Sequence, residues 1–172
     1  QPDTPRQSSA GRHFILAQPR PAASCRLSVT LGLMNQPLRD RLAESWNALP
    51  PPMRYPPAEE KAVQQFEESF GPIPEPFRWF LLKCGGGVIG SEWIDGIEQL
   101  PQSHRKFQRE QGPGGWRMSE AFVIGWDGAG NPIAIDRASG TVVSEDHNFG
   151  GAHVLASSFE QFIENGLRAN EA

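Results

Sequence analysis

The sequence predicts a single α+β domain whose central, mostly antiparallel sheet is flanked by helices. Three observations point that way. Apolar residues recur at helical spacing between residues 38 and 84. Between residues 121 and 144 the period falls to two, and tight turns separate the short apolar runs. Helical spacing then returns from Phe159 onward.

The chain has 172 residues, enough for one domain that buries a core without covalent staples. Its two cysteines, Cys25 and Cys84, lie far apart and form neither a disulfide framework nor a zinc pattern. They read as free thiols in a reducing cytoplasm. No apolar run approaches the roughly 20 residues that a membrane crossing needs. Residues 1–33 carry four arginines against one aspartate, a net +3, which leaves −7 for the remainder of a chain at −4. That segment is proline-rich, lacks periodicity and faintly resembles a transit peptide, without the apolar core of a secretory signal. Met34 is the first methionine, so 1–33 reads as an over-extended start: a weakly ordered N-terminal extension to a domain at 34–172. Residues 118–172 hold two arginines against eight acids, a net −6. Such a surface repels nucleic acid and suits a basic partner.

The first helix is expected over Leu38–Leu49, with Met34 to Pro37 opening it. Leu38, Leu42 and Trp46 form its apolar stripe, and Pro50-Pro51-Pro52 stops it. Ala58-Glu59-Glu60 starts a second helix with acids in its first turn; Val63, Phe66 and Phe70 make its buried face, and Gly71-Pro72 ends it. Pro74 to Cys84 is an aromatic-rich third helix for the middle of the fold, broken by Gly85-Gly86-Gly87. Val88, Ile89, Trp93 and Ile94 follow in a short extended piece, and Ile97–Leu100 reads as an edge strand or turn. Gln102–Gln111 is a polar helix anchored by Phe107, and Gly112 to Gly115 is a loop. Ala121–Trp126, Pro132–Asp136 and Thr141–Ser144 form an antiparallel meander joined by turns at 127–131 and 138–140. His153–Ala156 adds a fourth short strand. Ser157 to Glu160 reads as a capping box for a closing helix with apolar face Phe159, Phe162, Ile163 and Leu167, fraying at Gly166 or Asn170.

The order of these signals resembles one family. Phe70-Gly71 then Ile73-Pro74, the helix Phe77–Cys84 with its glycine break, the hairpin Ile124–Gly128 with Pro132–Asp136, and the closing Ala156–Ile163 are similar to the SUKH superfamily over about residues 55 to 168. The Gly112–Gly115 loop and the helix over 34–54 depart from that pattern. The resemblance implies a mixed sheet flanked by helices. Bacterial members are often immunity proteins that neutralise a toxin in polymorphic toxin systems. Another branch holds a yeast regulator of cell-wall synthesis that acts as an interaction hub.

The residues by themselves offer little for catalysis. Asp127, Asp136, Asp146, His147 and His153 are the best set for a metal-assisted hydrolase. Asp127 and Asp136, however, stand where turns need them, and His147 to His153 is not a metal-ligand spacing. Ser119, Ser139 and Ser144 lack a nucleophile frame. Cys84 follows a helix C-terminus, where the dipole disfavours a thiolate. Neither glycine run has the Lys-Ser/Thr of a phosphate loop. His104, Arg105, Lys106 and Arg109 make a local basic face without stacking aromatics, in an acidic protein. The expectation is a cytoplasmic, non-enzymatic protein-binding domain without cofactor, metal, nucleic-acid or membrane partner, monomeric or weakly dimeric. Trp93 and Trp116 sit in polar, Gly-rich contexts that suit interface anchors. With Glu92, Asp95, Glu98, Glu145 and Asp146 they make an acidic, aromatic candidate surface for a basic toxin domain encoded nearby. A regulatory or scaffolding module and, behind it, the hydrolase are the alternatives.

Overall fold

The computed structural model describes residues 25–147 and 150–170, with side chains described for 36–147 and 150–169. The chain divides into two units, 1–34 and 35–172. Residues 1–24, part of the segment expected to be weakly ordered, lie outside the described residues. Helix α1 spans Cys25–Ala48 and so begins before the expected start at Leu38. Pro37 lies inside it rather than opening it, which removes one backbone hydrogen bond.

From residue 36 the expected stripe is seen. Leu42 and Trp46 are buried, Leu38 packs beside them, and the Trp46 ring meets Phe80 edge-on at 4.7 Å. A 3-10 turn at Pro51–Met53 ends the helix run. The chain then lies against the glycine triplet. Tyr55 N–H donates to the Gly86 carbonyl and Ala58 N–H to that of Leu81. A Cβ at Gly85 would stand 2.2 Å from the Pro56 carbonyl oxygen, and one at Gly87 2.2 Å from that of Met53. All three glycines also have positive φ. The triplet is thus required twice, for its backbone angles and for a close chain approach.

Helices α2 (Glu60–Phe70) and α3 (Glu75–Lys83) bury Val63, Phe66, Phe77, Phe80 and Leu81, while Phe70, expected on the buried face of α2, is half-buried against the core. Six strands follow: β1 (Gly87–Ile89), β2 (Glu92–Ile94), β3 (Ala121–Trp126), β4 (Pro132–Asp136), β5 (Val142–Glu145) and β6 (Ala152–Ala156). They form one sheet in sequence order, antiparallel throughout. Helix α4 (Leu100–Glu110) lies between β2 and β3 in sequence, and α5 (Phe159–Asn170) closes the chain. Ile97–Leu100 is the turn into α4, not a strand. Gln99 and Leu100 N–H both donate to the Gly96 carbonyl.

Both faces of β3 and β4 are covered, which is why those strands read as apolar runs. Phe122, Ile124, Ile133, Ile135 and Val142 join the main core with α1, α2, α3 and α5. Val123, Ala134 and Val143 face a second cluster with Phe107 of α4 and Trp116. The α5 cap differs from the expected box. Gln161 N–H bonds Ser158 Oγ, and the Gln161 side chain reaches back to Ser157 N–H and Oγ. Glu160 is buried instead, taken up by Arg39 of α1 at 2.8 Å.

Candidate functional site

Strand β2 organises the candidate site because alternate residues point to opposite faces. Trp93 projects to the outer face and is 48% exposed. Its ring lies 6.4 Å from Tyr55, the residue that the glycine triplet positions. Its register partner is Trp126, over which Lys106 Nζ sits 3.6 Å from the ring centroid. Gly125 makes this pairing possible, since a Cβ there would stand 1.9 Å from the Trp93 carbonyl oxygen.

Asp95 shares that face but is buried. Trp126 Nε1–H donates to Ser103 Oγ at 2.8 Å, and Ser103 is hydrogen-bonded to the Asp95 carboxylate. The other carboxylate oxygen, Oδ2, has no hydrogen-bond partner among the described residues. Burial pushes the Asp95 pKa up to about 6, against the pull of the Ser103 bond. Tyr55 is raised as well, by burial and then by the Asp95 charge. Beside these residues lies a cleft of about 430 Å³ lined by Tyr55, Pro56, Pro57, Glu59, Gly96 and Glu98, among others. Glu59 and Glu98 are exposed.

The structure therefore brings Trp93, Asp95 and Glu98 together and separates the other four candidates from them. Glu92 points to the opposite face, into a pocket with Ile89, Leu155 and Phe162. Burial raises its pKa, opposed by a Ser91 hydrogen bond and aided by the Asp127 charge. Trp116 is 2% exposed, so it is core rather than an exposed anchor; its ring lies 3.7 Å from that of His147, tilted by 39°, and its Nε1–H donates to Glu110. Glu145 is buried too, because its carboxylate accepts the backbone N–H groups of Arg117 and Met118. It is not part of an acidic rim. Asp146 follows β5, three strands away from Trp93 in the sheet, and is half-buried. Tyr55, Glu59 and Trp126 were not anticipated; a lone tyrosine in a proline-rich loop carries no local signal.

Of the set considered for catalysis, Asp136 ends β4 at the far end of the sheet, whereas Asp127, Asp146, His147 and His153 lie toward the end where β4 starts. Asp127 accepts the N–H groups of Ala129 and Asn131, and Asp136 those of Ala138 and Ser139. His147 N–H donates to Asn131, and His153 is on the edge strand β6. Among the described residues, no group of three or more His, Cys, Asp or Glu could hold a metal ion. Cys84 is buried, and burial pushes its thiol up to about 12. His104 is buried among Phe66, Phe70 and Phe122 with Nε2 3.0 Å from the Val123 carbonyl oxygen; burial brings its pKa down to about 4. Among the described residues no helix is long and apolar enough to cross a membrane.

The region around Trp93 is thus an aromatic and acidic surface on an α+β scaffold. The sequence model of the SMI1 / KNR4 family (SUKH-1) matches residues 57–165, most of the chain. This chain belongs to that family. No curated protein matches it.

Proposed function

We propose that this chain is a non-enzymatic protein-binding module that binds and neutralises a cognate toxin, as an immunity protein does. Family membership supports a module that works through protein partners. The observation that carries the location is Trp93: a large aromatic, 48% exposed, beside Tyr55 and an acidic cleft. Tryptophan is enriched among the residues that dominate interface energies. The acids around it suit a cationic toxin domain, which charge would steer onto the face. That Asp127 and Asp136 are taken up by the backbone N–H groups of their own turns favours binding over hydrolysis.

Two measurements test this. The product of the adjacent gene is co-expressed with the chain, and tagged protein is used to capture it. Tight one-to-one binding with rescue from toxicity is the expected result. Binding without rescue would move the module to regulation, and no binding at all would end the immunity reading. For the face itself, Trp93→Ala is expected to weaken capture by about tenfold or more with unchanged circular dichroism. Equal affinity of mutant and wild type would remove Trp93 from the interface.

A further inference from the structure

We propose that the cleft beside Trp93 receives one arginine side chain of the protein partner. This deepens the binding reading above and rests on it. Four features of the cleft argue for an arginine. Its ten lining residues include two carboxylates, Glu59 and Glu98, and no cation. Neither carboxylate has an ion-pair or hydrogen-bond partner among the described residues, although Glu60 and Glu67 nearby are both engaged by Arg78. Apart from Gln99 and the Gly96 floor, the rest of the lining is Tyr55, Pro56, Pro57, Ala58, Ala62 and Ile97, largely apolar and including an aromatic side chain. The floor at Gly96 is tight, since a Cβ there would stand 2.9 Å from Gln99 Oε1 and 3.2 Å from Tyr55 Cβ.

A guanidinium on a three-carbon stem matches this lining. The stem lies along apolar walls, the planar head stacks on an aromatic ring, and its fork of donors meets carboxylates. An ammonium has the charge but neither the plane nor the fork.

The opposite occupant, an anion, has a case of its own. Helices α2 and α4 both begin at this cleft, and helix N-termini attract anions. Magnitudes decide. Each N-terminus carries about half a positive charge, so the two offset about half of the two full carboxylate charges. The cleft stays negative, and Asp95, with one unpaired carboxylate oxygen, lies next in sequence to its Gly96 floor.

The test needs no knowledge of the partner. Acetyl-Gly-Arg-Gly-amide is titrated into the isotopically labelled chain, alongside its twin carrying citrulline, which keeps the shape and loses the charge. Saturable amide shifts at Tyr55, Gly96 and Ile97 with arginine, none with citrulline and weaker ones with lysine are expected. In Glu59→Gln/Glu98→Gln, whose changes are both on exposed side chains, arginine affinity is expected to fall by about tenfold. Equal response to citrulline, an unchanged affinity in the double variant, or preferential binding of inorganic phosphate at the same amides would overturn the proposal. Its failure is separable from that of the binding reading. A partner that loses affinity with Trp93→Ala but binds the double variant normally keeps the face and dismisses the arginine pocket.

Discussion

Asp95 and His104 show how two buried titratable side chains pull the domain in opposite directions. Burial raises Asp95 from its ordinary 3.8 to about 6, so the folded state prefers its protonated form. Its stabilising contribution is complete below 3.8 and is lost as pH rises through about 6. Burial lowers His104 from 6.5 to about 4, so the folded state prefers the neutral ring. That contribution is present above 6.5 and is lost as pH falls through about 4. In the window they share, the two effects partly cancel. Asp95→Asn removes one of them. The gain in unfolding free energy of Asp95→Asn over wild type is expected to grow by about 2 kcal/mol between mildly acidic and neutral pH. Urea unfolding at both ends of that range measures it, and a pH-independent difference would show that Asp95 is not held in the protonated form.

Helix α5 illustrates how an element can obey its own code and still be set by a neighbour. Its apolar face reads directly from the spacing of Phe159, Phe162, Ile163 and Leu167. Gly166, however, is not the fraying end, since the helix runs on to Asn170. A Cβ at 166 would stand 2.2 Å from Ile89 Cγ1, and Ile89 is buried and stiff at its branched carbon. Alanine in a helix interior is ordinarily favoured over glycine by about 1 kcal/mol. Here Gly166→Ala is expected to destabilise by about 1–2 kcal/mol net, because overpacking costs more than the propensity returns. On an Ile89→Ala background the same change is expected to stabilise. Denaturation of the four members of this double-mutant cycle tests it; the same sign on both backgrounds would refute the close-contact explanation.

Across the whole molecule, the first and last helices are joined through one arginine. Arg39 of α1 is buried and bonds Glu160 of α5 at 2.8 Å and Glu75 of α3 at 2.7 Å. Its pKa is raised, chiefly by the Glu75 hydrogen bond, which also holds Glu75 below the usual carboxylate range. The two acids are not equivalent. The Glu160 side chain is 6% exposed, whereas that of Glu75 is 71% exposed. Glu160→Ala leaves Arg39 paired with Glu75 but strips its Nε and one terminal nitrogen of their buried acceptor, so it is expected to cost about 2–3 kcal/mol. Glu75→Ala is expected to cost under about 1 kcal/mol, because water replaces the lost carboxylate. Similar losses for both would mean that burial does not set the value of this triad.

Elements governed by local chemistry were legible in the sequence. The meander from Ala121 to Glu145 followed from its turn residues, since Asp127 and Asp136 satisfy the backbone N–H groups of their own turns. The stripes of α2 and α5 followed from spacing and the central place of α3 from its aromatic density, and the exposure of Trp93 was legible from its polar surroundings. Whatever depended on residues distant in sequence was not legible. Trp116 and Glu145 look exposed by composition but are buried because β5 and the 111–118 loop meet in space. Glu160 reads as a cap until Arg39, distant along the chain, claims it. The cleft exists because Tyr55 and Gly96 are brought together across the glycine triplet. By itself the sequence determined the elements, the core stripes and the family pattern, because turns, caps and periodicity act over a few residues. Only the tertiary structure decided which acids face water and which aromatics share a surface, because burial depends on what packs against a side chain.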